Sequence, residues 1–175
     1  MTDAKYPIFC YGSNNPEQLQ NRLGHAVGAT YKARMVNAAR VFTNSFGSQN
    51  GVATLIKCPG EDVLGLIFMA TADDIKKLDQ FEGSPHKYAL KKVNVLVYEN
   101  SNFVEKEVFA YIMTDTFLKT HAAGYLKPSD EYLAKIVKTL NTHWRKHGGK
   151  KFEPHHIPLH HDKKFCGYGA VFESI

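Results

Sequence analysis

Two long runs of strand-forming residues, 86–98 and 103–114, are separated only by the polar stretch Glu99-Asn100-Ser101-Asn102. A linker this short and polar forces a tight reversal, so the two runs are expected to pair as an antiparallel hairpin. Further strand-type runs lie at 6–11, 35–44, 51–57 and 63–70. Helical spacing of apolar residues appears at 16–23, 72–81 and 128–147. Many strands with few helices predict an α+β fold, a small barrel with short helices around it. At 175 residues the chain is long enough to bury a full core as one domain.

The first strand run enters a turn with chemical potential. Ile8-Phe9-Cys10-Tyr11 leads straight into Gly12-Ser13-Asn14-Asn15-Pro16, and Pro16 opens a helix through Leu23. Gly12 allows close backbone approach, and free N–H groups at such a turn can converge on an anion. Ser13 and Asn14 add side chains able to donate there. On local grammar alone, the same segment is an ordinary capped strand-to-helix turn.

A second segment gives the turn a partner. In Asp73-Asp74-Ile75-Lys76-Lys77-Leu78-Asp79-Gln80-Phe81-Glu82-Gly83, the positions Ile75, Leu78 and Phe81 predict one buried helix face. Glu82 is expected just past the last apolar turn, with Gly83 as the left-handed stop. The negative helix end, with shielding by Phe81 and Tyr88, should make this carboxyl hold its proton tightly. A carboxyl so tuned can act as a general base and later return the proton as an acid. Read alone, it is a solvated helix-end glutamate.

Tyr11-Gly12-Ser13-Asn14, joined in order to Leu78-Asp79-Gln80-Phe81-Glu82-Gly83 and Tyr88, resembles the γ-glutamylcyclotransferase (AIG2-like) family. The resemblance extends through Gly51–Gly60, Val63–Met69 and Val108–Thr114 to Pro128–Leu133, spanning roughly Tyr6 to Trp144. It implies a closed, mainly antiparallel β-barrel with the pocket at one mouth. The implied reaction is intramolecular aminolysis: a γ-glutamyl amino acid closes to 5-oxoproline and releases the amino acid or amine. Glu82 is the implied catalytic residue, and Cys10, Tyr11, Gly12, Ser13, Asn14, Tyr88 and Tyr111 the implied substrate-binding set. No cofactor is implied, because the attacking amine is tethered to its target. Glutathione-specific members carry Tyr-Gly-Ser-Leu at the turn and γ-glutamylamine members Tyr-Gly-Thr-Leu, so Asn14 favours γ-glutamyl amino acids as substrates. Tailoring relatives that strip a γ-glutamyl group from a larger metabolite share a similar motif, and a non-catalytic ligand-binding or scaffold protein on this fold is the other alternative.

Composition narrows the remaining classes. Cys10, Cys58 and Cys166 are odd in number and widely spaced, as expected of reduced thiols in a cytoplasmic protein. Cys10 sits beside the turn, but no histidine accompanies it in sequence, and it reads as a small core residue. No apolar run is long enough to span a bilayer. The net charge of +5 comes from Arg145-Lys146-His147, Lys150-Lys151 and Lys163-Lys164, with no stripe of arginines and aromatics, so nucleic acid is not the expected partner. A small γ-glutamyl molecule is, with the chain a monomer or homodimer.

The domain is expected to cover residues 1–145, with 146–175 a basic, histidine-rich extension packed on it. His143 and His147 share a helix face, and His155-His156 and His160-His161-Asp162 follow. Spacing i,i+4 suits a shared ion, but the rest matches no closed metal site, so no metal is expected. Phe165–Phe172 alternates apolar residues as a final strand or an extended arm would.

Overall fold

The computed structural model describes residues 3–44, 49–121, 124–144 and 151–161. In chain order the elements are strand β1 (Lys5–Cys10), helix α1 (Pro16–Leu23), and strands β2 (Thr30–Thr43) and β3 (Val52–Thr71). Then follow helix α2 (Ala72–Glu82), strands β4 (Tyr88–Glu99) and β5 (Asn102–Met113), and helices α3 (Asp115–His121) and α4 (Asp130–His143). A 3-10 turn at Pro154–His156 completes the described elements.

The strands close a barrel in the order β1-β3-β2-β4-β5. The expected hairpin pairs without slip from Tyr88↔Met113 to Glu99↔Asn102. Asn100 and Ser101 both take positive φ, 47° and 66°. Those angles give the turn whose twist matches the flanking strands. The other antiparallel ladders are long where β3 meets β1 and β2, but β2 meets β4 only at Ala33↔Val97 and Arg34↔Leu96. Closure from β1 to β5 is parallel, at Ile8↔Phe109.

Sequence reading separated 51–57 from 63–70, whereas β3 runs unbroken through both. The extra residues form a bulge against β2, where the register jumps from Val36↔Asp62 to Ala38↔Lys57. Asn37 Oδ1 accepts the Gly60 N–H across it at 3.1 Å. A Pro-Gly pair therefore marks a bulge here, not a strand end. β2 also begins at Thr30, earlier than its apolar run, and helix α3 lies in a stretch to which sequence reading assigned no element. The third predicted helix, expected over 128–147, is shorter, Asp130–His143, with Trp144 as its C-cap.

Alternation along β1 and β3 splits the interior into two faces. Phe9 and Ile67 join Phe42, Leu55 and Ile112 with Leu133, Ile136 and Leu140 of α4. Ile8, Cys10, Leu66 and Phe68 instead pack with Leu19 and Leu23 of α1 and Leu78 of α2. Ile157 is buried on the α4 side, and Asn141 brackets Phe152 by accepting its N–H at 2.6 Å and donating to its C=O at 3.1 Å. These contacts seat the described part of the C-terminal extension on the barrel. Arg145, Lys146, His147, Lys150, Lys163, Lys164, Cys166 and the Phe165–Phe172 arm lie outside the described residues. Among the described residues, no helix is long and apolar enough to cross a membrane. None of their His, Cys, Asp and Glu side chains gather in a group of three or more suited to a metal.

Candidate active site

Two short helices are locked so that one residue of each meets the other. Asn15 caps α1 by accepting the Gln18 N–H at 2.9 Å, with Pro16 in the first turn. Thr71 and Asp74 form a reciprocal capping box on α2, and Gly83 ends it at φ 62°. The helices are clasped by His25 Nε2 to Asp74 Oδ1 at 2.7 Å and by Lys77 Nζ donating to Leu23 O at 2.8 Å. Hydrogen bonds that the imidazole donates to the Ala26 carbonyl and the Asp74 carboxylate raise the His25 pKa, which favours its charged, clasping form. The clasp sets Arg22 of α1 beside Glu82 of α2.

Glu82 is the last helical residue, and its carboxylate is the hub of the site. Asn14 Nδ2 donates to Glu82 Oε1 at 3.0 Å, and Arg22 Nη1 reaches the same oxygen at 3.3 Å. Arg22 Nη1 also donates to Asn14 Oδ1 at 3.0 Å, so turn, cation and carboxylate form a closed triangle. The Glu82 side chain is 13% exposed. Burial raises its pKa, and Arg22, Asn14 and Lys87 pull it partly back. The expected direction therefore holds, but burial causes it, and Phe81 is no shield. Phe81 is 55% exposed rather than part of a buried helix face, and it carries the Arg22 guanidinium 4.9 Å above its ring.

The cavity beside Glu82 has a volume of ≈ 290 Å³. All eight residues expected at the site line it: Glu82, the run Cys10 to Asn14, Tyr88 and Tyr111. The side chains play different parts, however. Tyr11 donates its hydroxyl to Tyr111 O at 2.5 Å, Tyr88 to Ala53 O at 2.7 Å, and Tyr111 to Asp79 Oδ1 at 2.8 Å. With those protons committed, the phenols offer a ligand lone pairs and ring faces. Burial pushes the Cys10 thiol far up, so it is no thiolate nucleophile. Asn14 donates to Glu82 rather than into open space, a supporting role its position in the turn did not reveal.

Backbone groups of the turn remain available. The N–H groups of Gly12, Ser13 and Asn14 meet no acceptor among the described residues. A Cβ on Gly12 would stand 3.2 Å from the Tyr132 hydroxyl and 3.4 Å from Ala53 Cβ, so the turn is pressed against β3 and α4. Tyr132 itself accepts the Ala53 N–H at 2.9 Å.

Sequence reading missed Arg22, Lys87, Tyr132 and Lys135, all of which line the cavity. Arg22 follows Asn14 by two helical turns on the same segment, so its spacing held a signal. Lys87 and Tyr132 come to the cavity only through tertiary packing. Lys135 donates to Gln18 Oε1 at 2.6 Å and closes the rim between α1 and α4.

A solved structure called gamma-glutamyl cyclotransferase is similar to this one at 26% identity. It matches over 79% of this chain and 80% of its own, with a TM-score of 0.64. An uncharacterised protein from Homo sapiens is also 26% identical, over 79% of each chain, with a TM-score of 0.61. A yeast gamma-glutamyl cyclotransferase specific to glutathione shares the fold at 17% identity, over 90% of this chain and 95% of its own, with a TM-score of 0.59. A search of curated proteins returns no match. The model of the family described as gamma-glutamyl cyclotransferase, AIG2-like, matches residues 8–134, which takes in both the turn and Glu82, and the chain belongs to that family.

Proposed function

We propose that the protein is a γ-glutamylcyclotransferase that converts γ-glutamyl amino acids to 5-oxoproline and the free amino acid. The observation that carries this reading is a largely buried carboxylate, Glu82, held by Arg22 and Asn14 beside a small cavity that is also lined by a turn with unused N–H groups. That pairing suits a reaction needing proton transfer and an anion cradle, with no cofactor.

The chemistry follows from the groups present. The substrate's α-ammonium gives a proton to Glu82, and the freed amine attacks the γ-carbonyl carbon. A C–N bond forms, closing a five-membered ring, and the carbonyl oxygen becomes an oxyanion. The old C–N bond then breaks as Glu82 returns that proton to the leaving nitrogen, and the ring nitrogen's surplus proton follows by way of the same carboxylate to the released amine, which departs as an ammonium and leaves a neutral lactam. Tethering the amine to its target is worth up to about 7–11 kcal/mol when the bound geometry is correct. Each N–H donor on the oxyanion adds about 3–4 kcal/mol. The elevated Glu82 pKa helps the second proton step, and Arg22 keeps enough carboxylate ionised for the first.

The direct test is incubation with a panel of γ-glutamyl dipeptides, with mass spectrometry for 5-oxoproline. No 5-oxoproline from any member would favour the binding-protein alternative. Release from a larger γ-glutamyl metabolite alone would favour the tailoring alternative. A second expectation concerns Arg22. Because its charge lowers the Glu82 pKa, Arg22→Met should shift the acid limb of kcat/KM to higher pH. Loss of activity with an unmoved limb would instead make Arg22 a substrate anchor only.

A further inference from the structure

Arg40 of β2 is 5% exposed, and among the described residues no carboxylate pairs with its charge. Its guanidinium instead donates to two carbonyls, Nε to Tyr11 O at 2.6 Å and Nη2 to Leu64 O at 2.8 Å. Removing a charge from water without a counter-ion costs several kcal/mol. Burial accordingly lowers the Arg40 pKa to about 10, which still leaves it charged at neutral pH.

The direction of that charge's effect is set by one peptide. The Tyr11–Gly12 bond is trans, so its C=O and N–H point opposite ways. Arg40 holds the C=O, so the Gly12 N–H points away from the guanidinium, at a residue that lines the cavity. A cation on the oxygen of a peptide polarises it and strengthens its N–H as a donor. The peptide thus carries the buried charge to the cavity wall.

We propose that Arg40 is a positioning residue for anion recognition, aiming and charging the Gly12 N–H for the α-carboxylate of the bound γ-glutamyl group. This rests on the cyclotransferase reading for the identity of the ligand. It separates Arg40 from Arg22, Lys87 and Lys135, which line the cavity near solvent and whose attraction salt can screen.

The probes are 5-oxoproline and its neutral carboxamide, with binding followed by NMR titration. The wild-type protein should prefer the carboxylate by about tenfold or more. The preference should persist in about 1 M NaCl, where surface cations are screened and a buried one is not. Arg40→Gln should lose the preference by weakening the carboxylate while leaving the carboxamide within about twofold, and Arg40→Lys should keep most of it. A wild-type preference that vanishes in salt overturns the proposal without any variant, whether or not Arg40→Gln folds. Equal weakening of both probes in a folded Arg40→Gln makes the residue merely structural and also overturns it. Turnover of γ-glutamyl dipeptides is measured in parallel. Carboxylate preference without turnover defeats the enzymatic reading and leaves Arg40 standing, and turnover without preference does the reverse.

Discussion

Glu82→Gln should lower kcat by about 10²–10⁴, toward the upper end because the same carboxyl takes and returns a proton. The amide matches the carboxylate in size and keeps an oxygen for Asn14 Nδ2 and Arg22 Nη1. Fold and KM should therefore change little. What is lost is the ability to accept the α-ammonium proton. Steady-state kinetics on the best γ-glutamyl dipeptide, with a circular dichroism spectrum as the folding control, decide the matter. Near wild-type kcat in a folded Glu82→Gln protein would end the mechanism, whatever family the chain belongs to.

Gly65→Ala should be strongly destabilising. A Cβ there would lie 2.3 Å from Cys10 O and 2.6 Å from Phe9 Cε2, and the first of these is backbone. β3 must move away from β1 at the residue that leads into the turn. Overpacking of this kind costs about 3 kcal/mol, and in a chain this long lowers Tm by about 6–12 °C. Gly28→Ala is the control, since nothing lies within 4 Å of its Cβ, and it should melt like the wild type. Equal Tm values for the two variants would show that β1 and β3 are not packed as described.

Much of the architecture was legible because it rests on local rules. The β4–β5 hairpin, the helix start at Pro16 and the stop at Gly83 follow from turn and capping chemistry, and each stands where sequence reading expected it. The unbroken β3 was not legible, because Pro59-Gly60 has the same composition in a bulge as in a loop. Phe81 misled for a related reason. Helical spacing says which residues share a face, yet the cavity and the Arg22 guanidinium, not the core, meet that part of α2. At the site, the turn and Glu82 were readable as two motifs. Arg22, Lys87 and Tyr132 were not, because their roles depend on how helices and strands from distant parts of the chain cross. Arg40 looked like any strand residue until its carbonyl partners appeared.

Trp144 is the chain's one tryptophan, and it stands where α4 ends against the barrel. Its indole N–H donates to Gly65 O at 2.9 Å, and its ring stacks on Phe103 with centroids 5.8 Å apart. All tryptophan emission from this protein thus originates at one interface, next to the residue where β3 crowds β1. An indole released from that carbonyl and that ring into water emits at longer wavelength. Intrinsic fluorescence therefore follows the docking of α4 onto the barrel, and a probe built into the chain reports from the strand that braces the turn.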